Sequence, residues 1–426
     1  MTPMSSGSMT RVSRWVYPER VTTECQPPSP RCVLVAGPAG SGKSTLAKAL
    51  ATQLRLPLLD LDTLTNPLLD GLPASALAEH WLSPAHGPAI RDARYAALTA
   101  VAAEVTATAG AAVLVAPFTA ELAGAAAWDR LRAALGPTDP VVVWIRGDAQ
   151  LFARRRVQRA ADRDDHRPPT PEPVPPAVDH LPIDAELTTA QQVFRVLRAL
   201  GEPMGVAPGP PAGGIEVDAL LFDLDGTLAD STASVARCWD RLAREFGAEP
   251  RLIQENHGQP SDVLVGTLVG PDRQAAGRAR IRELEIADAP FIDPIPGAHQ
   301  FFSSVPDDRR AIVTSGVRDL ATARLGAVGL PVPGIMVTFD DVEHGKPHPE
   351  PYLLAARRLG VDPARCLVFE DAPAGIASAR AAGCRVIAVL GTSPAAELTG
   401  AELVVDGLDR LTLVRRGDAF RVVPAG

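Results

Sequence analysis

The chain has 426 residues, too many for one ordinary core and enough for two. With 46% hydrophobic and 22% charged residues it has the composition of a globular protein, and a formal charge of −8 argues against broad affinity for nucleic acid or an anionic membrane. No apolar run is long enough to span a bilayer, and Arg11 and Arg14 are not followed by the apolar stretch of a secretion signal, so a cytoplasmic location is expected.

Residues 1–30 are rich in Ser, Thr and Pro and read as a loose arm. From Arg31 short β-branched runs (Val33–Ala36, Leu56–Leu59, Ala112–Ala116, Val141–Ile145) alternate with stretches of helical composition, the rhythm of a parallel sheet covered by helices. Six prolines fall within residues 167–176, but Val178–Ile183 and Thr188–Leu200 then read as one more strand and a closing helix. The proline-rich piece is therefore a loop inside a first domain spanning 31–202, and the Pro/Gly-rich 203–216 is the linker. A second α/β domain covers 217–426, with strands at Ala219–Phe222, Ala311–Val313, Ile335–Phe339, Cys366–Phe369 and Arg385–Leu390. Between Asp230 and Pro294 helical patterns at Ala233–Phe246 and Arg273–Ile286 predict a cap inserted over the sheet's active edge, at about 231–294. The five cysteines lack metal-ligand spacing and read as structural thiols of a reducing compartment.

The first strand runs into Gly37-Pro38-Ala39-Gly40-Ser41-Gly42-Lys43-Ser44, a full phosphate-loop pattern, with a helix expected from Lys43. Glycines let consecutive backbone N–H groups converge on phosphate oxygens, Lys43 reaches the outer phosphates of ATP, and Ser44 ligates Mg²⁺. Asp60 and Asp62 follow the second strand, two apart and on one side if the extended run continues. Asp60 is the candidate base for a substrate hydroxyl, with Asp62 holding metal or substrate; the alternative is that the pair caps the next helix. Arg155, Arg159 and Arg163 recur every four residues and would put guanidiniums on one face, either to clamp nucleotide and transferred phosphoryl group or as a plain solvated face.

Segment 31–201 resembles the small P-loop kinases of the shikimate, gluconate and nucleotide-kinase type. The resemblance implies ATP-dependent phosphorylation, a carboxylate after the second strand, and an arginine-bearing lid. One departure is Val113-Leu114-Val115-Ala116-Pro117, which lacks the acidic residue that many P-loop enzymes place there. Either Mg²⁺ relies on Ser44 and the phosphates, or Asp60 or Asp62 contributes.

In the second domain Asp223-Leu224-Asp225-Gly226-Thr227 ends the first apolar strand, and strand alternation would aim both carboxylates into one cleft. One carboxylate attacks phosphorus, and the other protonates the leaving alkoxide and then activates water. Two anions beside an anionic phosphate imply Mg²⁺. At later strand ends, Thr314, Ser315 and Gly316 offer donors to phosphate, Lys346 offsets charge, and Glu370 and Asp371 complete a metal site with Asp223 and Asp225.

The stretch 217–405 resembles the haloacid-dehalogenase superfamily, and VTSG, HGKPHPEPY and VFEDAPAGIASARAAG are similar to sugar- and polyol-phosphate phosphatases, including 2-deoxyglucose-6-phosphate and glycerol-phosphate phosphatases. By that resemblance Asp223 is the nucleophile and Asp225 the acid/base, Thr314 or Ser315 and Lys346 bind phosphate, and Asp371 with Glu370 holds Mg²⁺. His257 and Gln259 of the cap would face the substrate, although Gln259 stands where such phosphatases often carry a basic residue. A phosphomutase shares this core and cap; it would need a second phosphate site, for which Arg278, Arg280 and Arg282 are candidates.

The expected protein is thus a bifunctional small-molecule kinase and phosphatase acting on sugars, polyols and their phosphates. The alternatives are a polynucleotide kinase-phosphatase, which the acidic charge and the cap disfavour, and a phosphatase or mutase regulated by a nucleotide-binding domain. Neither a membrane nor nucleic acid is an expected partner, and oligomeric state is not legible.

Overall fold

The computed structural model describes residues 32–72, 87–137, 139–159, 173–202, 214–248, 265–266 and 268–425. Arg163, His257 and Gln259, three of the predicted site residues, lie outside this set, as does the side chain of Arg159.

The N-terminal half is built from β1 (Val33–Ala36), α1 (Lys43–Leu54), β2 (Leu58–Asp60), α2 (Leu61–Asp70), α3 (Gly87–Ala109), β3 (Val113–Val115), α4 (Ala125–Ala134), β4 (Val141–Arg146), α5 (Ala149–Arg159), β5 (Leu181–Asp184) and α6 (Thr189–Ala199). The five strands are parallel in the order β2-β3-β1-β4-β5. Both faces are covered, so the strands read as unbroken apolar runs. Val33 and Val35 point to one face, against Leu46 and Leu50 of α1 and Val193 and Val196 of α6. Leu34 and Ala36 point to the other, against Leu98 of α3 and Leu131 of α4. The second strand lies slightly later than its composition predicts, at Leu58–Asp60, and the chain turns helical at Leu61.

The C-terminal half follows as β6 (Ile215–Val217), β7 (Ala219–Phe222), β8 (Ala229–Asp230), α7 (Thr232–Phe246), α8 (Gln274–Asp288), β9 (Asp293–Pro294), α9 (Ala298–Ser304), β10 (Arg310–Val313), α10 (Arg318–Ala327), β11 (Met336–Val337), α11 (Glu350–Leu359), β12 (Cys366–Glu370), α12 (Pro373–Ala381), β13 (Arg385–Val389), β14 (Leu403–Val405), β15 (Leu411–Arg416) and β16 (Ala419–Pro424). Its main sheet is parallel, in the order β11-β10-β7-β12-β13-β14. Leu220, Phe222 and Phe369 face Phe301 and Phe302 of α9, and Leu221 and Val368 face Tyr352 of α11 and Ile376 of α12. In each sheet the central strand, β1 or β7, has neighbours reached by connections running in opposite directions, which opens a cleft at its carboxyl end.

The cap is rooted on a two-strand antiparallel hinge, Ala229 opposite Pro294 and Asp230 opposite Asp293. Its helices α7 and α8 pack through Trp239, Leu242, Ile281 and Leu284.

One difference from expectation concerns the linker: residues 215 and 216, placed in it by composition, belong with Val217 to β6, which pairs with β16. The strands β15 and β16 form a hairpin around Gly417-Asp418, with Gly417 at φ 63, and the three strands make a separate antiparallel sheet. A two-residue Gly-Asp turn between alternating runs is a hairpin signal that the sequence carries. The four described cysteines, Cys32, Cys238, Cys366 and Cys384, are buried free thiols. No described helix is long and apolar enough to cross a membrane.

Candidate active sites

The nucleotide-side site begins where β1 ends. Gly37, Gly40 and Gly42 all take positive φ, 152, 88 and 94, so the turn needs residues without a Cβ. At Gly40 the space is also closed, since a Cβ would lie 2.4 Å from the Phe152 carbonyl oxygen of α5. Gly42 is the N-cap of α1 and offers no side-chain acceptor, so the first-turn N–H groups and the helix dipole are presented to an anion. Ser41 Oγ is buried without a hydrogen-bond partner, and Lys43 Nζ folds back to donate to the Pro38 carbonyl at 3.3 Å. Ser44 is half-buried in the first turn. A loop of this shape, with an orphaned buried hydroxyl and an uncapped helix, fits the phosphates of a nucleotide with Ser44 toward their metal.

Helix α5 supplies the loop's arginines, in a different pattern from the predicted one. Arg155 donates to the Ala185 carbonyl at 2.9 Å, and its guanidinium lies 4.0 Å from where a Cβ on Gly42 would stand. Burial is the largest influence on it and lowers its pKa from the usual arginine value. Its neighbour Arg156, which four-residue spacing does not select, donates to the Ala39 carbonyl of the loop at 3.0 Å.

The acidic pair beyond β2 does not sit as an extended run would place it. Asp60 is the N-cap of α2, and its Oδ1 accepts from the N–H groups of Asp62 and Thr63 at 2.9 and 3.3 Å. Asp62 is in the first helical turn and pairs with Arg94 at 2.6 Å. The two carboxylates therefore do not share one side of a strand; the capping geometry ends the strand at Asp60.

Glu186, just after β5, has a buried Oε2 with no partner. Burial pushes its carboxyl up to about 7, with Asp184 adding to the rise and Arg237 and Arg155 opposing it. A carboxyl whose folded value is raised adds stability below its unfolded value near 4.3, and that contribution is lost as pH rises through about 7. Glu186→Gln should therefore match wild type in urea unfolding at pH 4 and exceed it at pH 8 by about 1–3 kcal/mol; parallel curves across that range would contradict the assignment.

The second site lies at the carboxyl end of β7. Asp223 is 6% exposed and takes its place through its N–H bond to the Phe369 carbonyl, 3.0 Å. Lys346 Nζ donates to Asp223 Oδ1 at 2.6 Å, Glu370 Oε1 at 2.7 Å and the Val313 carbonyl at 2.9 Å, which uses all three of its hydrogens. Glu370 is held further by the Tyr352 hydroxyl at 2.8 Å and by the N–H groups of Asp371 and Ala372. Carboxylate oxygens of Asp223, Glu370 and Asp371 lie within 4.8 Å of one another, all buried. Burial raises the carboxyls of Asp223 and Asp371 well above the usual range, and neighbouring carboxylates add to the rise. Lys346 stays protonated, because Asp223 and Glu370 outweigh its burial.

Three buried carboxylates against one ammonium leave the pocket two charges short of neutrality. A hard divalent cation with oxygen ligands fits that deficit and that donor set, and Mg²⁺ meets both conditions. Gly226, at φ 82, lets the chain turn beneath it, since a Cβ there would fall 1.9 Å from Asp371 Oδ2. Beside the pocket Thr314 is buried, and its Oγ1 accepts the Gly316 N–H at 3.0 Å, a tight turn that presents Ser315, which is exposed.

Asp225 corrects an expectation. It does not join the carboxylate cluster. Ser231 Oγ donates to its Oδ1 at 2.7 Å, and Arg324 Nη1 donates to its Oδ2 at 2.6 Å. Alternation fails to predict this because β7 ends at Phe222, so the chain is already in the turn at Asp225. Arg324 of α10 is buried and reaches toward Glu285 of cap helix α8 at 3.6 Å, linking core, cap and Asp225. Of the cap arginines considered for a second phosphate, Arg280 pairs with Glu245 and Glu283, and Arg282 with Asp319, at the surface.

Arg324 and Ser231 are the members of this site that residue patterning misses, each reaching it from a helix or its flank; Tyr352 ends the HGKPHPEPY run, but its bond to Glu370 is visible only in the fold.

Residues 217–383 match the haloacid dehalogenase-like hydrolase family, and residues 32–172 match an AAA domain family. Hexitol phosphatase A of Escherichia coli (strain K12) is 38% identical over 205 residues, which cover 46% of this chain and 94% of that protein. Glycerol-1-phosphate phosphohydrolase 2 of Saccharomyces cerevisiae is 35% identical over 44% of this chain and 80% of its own length. 2-deoxyglucose-6-phosphate phosphatase 2 of the same yeast is 30% identical over 47% of this chain and 92% of its own. Each of these alignments covers less than half of the chain.

Proposed function

The C-terminal half of the chain belongs to the haloacid dehalogenase-like hydrolases, and from that premise we propose that it hydrolyses the phosphate ester of a small sugar or polyol. The observation that carries the reading is the Asp223–Lys346–Glu370–Asp371 cluster, buried at the end of a central strand with an unmet need for a divalent cation. The relatives above are named for hexitol, glycerol-1-phosphate and 2-deoxyglucose-6-phosphate substrates, which supports the substrate class.

In this mechanism an oxygen of Asp223 attacks phosphorus and the ester P–O bond breaks, giving an aspartyl phosphate and an alkoxide. Asp225, on leaving its contacts with Ser231 and Arg324, delivers the proton that the alkoxide takes up. It then accepts a proton from water as that water attacks the phosphoryl group, which regenerates Asp223 and releases inorganic phosphate. Lys346 favours the ionised form of Asp223 against its burial and balances charge on the phosphoryl oxygens. Thr314 and Ser315 bind those oxygens, in the turn closed by the Gly316 N–H. Asp223, Glu370 and Asp371 would hold Mg²⁺, which when bound neutralises the phosphate's charge. Two of the three cap arginines that a mutase's second phosphate site could use, Arg280 and Arg282, sit in surface ion pairs, which favours hydrolysis.

For the N-terminal half the reading is nucleotide binding at Gly37–Ser44, with ATP-dependent phosphorylation of a small hydroxylated metabolite as the reaction it serves. The phosphate loop supports the nucleotide, and Arg155 and Arg156 beside it support charge compensation; Asp60 caps α2, so the base is not assigned to it.

The two halves are tested separately in one protein. Full-length enzyme with Mg²⁺ and a panel of hexitol, glycerol and deoxyhexose phosphates should release phosphate from at least one. With ATP and the free sugars and polyols it should form a phosphorylated product. Lys43→Ala should remove ATP binding and that product, by about 100-fold or more, and leave phosphate release within twofold. Loss of both activities in a folded Lys43→Ala protein would sink the two-site account.

A further inference from the structure

Helix α6 closes the nucleotide-side domain, yet one of its faces belongs to the phosphatase. Gln191, Phe194, Arg195 and Arg198 recur at i, i+3, i+4 and i+7, so they lie on one face. All four meet the C-terminal half. Phe194 packs on its apolar core, and Arg198 pairs with Asp406 and Asp409. The opposite face, with Val193, Val196 and Leu197, packs on Leu46 and Leu50 of α1, the helix that begins at the phosphate loop.

Two contacts from this face end on the immediate supports of carboxylates of the phosphatase site. Arg195 forks onto Asp230, Nη2 to Oδ1 at 2.5 Å and Nε to Oδ2 at 3.0 Å. Asp230 is the last residue of hinge strand β8, and the next residue is Ser231, whose hydroxyl holds Asp225 at 2.7 Å. Gln191, itself 9% exposed, donates its side-chain N–H to the Thr392 carbonyl at 3.1 Å. The Thr392 hydroxyl in turn lies beside the Asp371 carboxylate, since a Cβ on Gly226 would stand 2.4 Å from Thr392 Oγ1 and 1.9 Å from Asp371 Oδ2. The other hinge strand is approached from the same domain, where Arg146 lies 3.9 Å from Asp293.

We propose that α6 is a working part of the phosphatase site, with Arg195 and Gln191 as positioning residues supplied by the neighbouring domain. Arg195 fixes the hinge from which Ser231 presents Asp225, and Gln191 fixes the loop whose Thr392 orients Asp371. The inference rests on the phosphatase reading above. Its physical basis is that a guanidinium fork is a rigid, planar clamp on a carboxylate, and that partners one shell behind a reacting or metal-binding group set its position closely enough to matter tenfold or more. Because α6 is glued to α1 by its other face, the phosphatase site is incomplete without the nucleotide-side domain.

The test uses full-length protein, p-nitrophenyl phosphate as substrate, Mg²⁺ titrated by calorimetry, and a melting curve for every variant. Arg195→Ala should lower kcat about tenfold with KM within twofold, and Arg195→Lys should recover part of the loss. Gln191→Ala should weaken Mg²⁺ binding about fivefold or more, a readout that does not depend on turnover. Arg198→Ala loosens the same interface away from both carboxylates and should leave kcat and Mg²⁺ affinity within twofold. The proposal is overturned if the Arg195 and Gln191 variants match wild type on both readouts, or if Arg198→Ala costs as much as Arg195→Ala. Should Arg195→Ala fail to fold, Arg195→Lys and Gln191→Ala still decide the matter. Absence of turnover in wild type would overturn the phosphatase reading instead, and Mg²⁺ affinity in Gln191→Ala would still report on the loop.

Discussion

Asp223→Asn should lower phosphate release by about 10⁴-fold or more while leaving the fold intact, because the amide keeps the shape of the carboxylate and loses its nucleophilic oxygen. The substitution also removes one of three carboxylates packed within 4.8 Å of one another, so the metal-free protein should melt no lower than wild type and Mg²⁺ should stabilise it less. Steady-state kinetics and melting curves with and without Mg²⁺ check both halves. A variant that keeps more than a few per cent of turnover would mean that another group attacks phosphorus.

Lys346→Ala should be the most damaging single change to the folded protein, and it also removes a cation that serves catalysis. The ammonium is 6% exposed and is the cation shared by Asp223 and Glu370. Removing it strands two buried carboxylates, a situation that costs about 3–5 kcal/mol when one partner of a buried pair is deleted. Its pKa is raised in the folded state, so its contribution is fully present below the unfolded value near 10.4 and is lost only as pH rises through the higher folded value. The loss of stability on substitution should therefore be undiminished at neutral pH. The carboxyls of Asp223 and Asp371 behave in the opposite sense to ordinary surface acids, since their raised values make the metal-free pocket less stable as pH rises from about 4. Mg²⁺ should consequently rescue Lys346→Ala more at pH 8 than at pH 5. Urea unfolding at those two values tests it, and a rescue independent of pH would contradict the charge account.

Much of the architecture is legible because it is local. Burial of both faces of β1 and β7 produces continuous apolar runs, and the residues that follow each run carry the chemistry: the phosphate loop after Ala36, Asp223 after Phe222, Thr314 after Val313, Glu370 at the end of β12. Each such motif needs only a few neighbouring residues and a strand before it. The placement of Asp225 is not legible, since its partners Ser231 and Arg324 stand 6 and 99 residues away and the turn at Gly226 breaks the alternation.

The face of α6 is hidden for a related reason. Gln191 and Arg198 find their partners 201 and 208 residues later, and an arginine or glutamine on an amphipathic helix looks like any solvated residue until the second domain is present. The sequence is compatible with both a capping and a base role for Asp60, and the structure has it capping α2. Deciding between them required knowing where β2 ends, a boundary that sequence patterns place only to within a few residues.

The central claim, that Asp223 carries the phosphoryl group between substrate and water, is tested most directly by trapping it. Enzyme turning over a polyol phosphate with Mg²⁺ is quenched in acid, reduced with borohydride and mapped by peptide mass spectrometry. The account predicts that the peptide containing Asp223-Leu224-Asp225 carries the reduced product at Asp223 and that Asp223→Asn yields none. Steady turnover with no modification at Asp223, or the modification on a different residue, would contradict it.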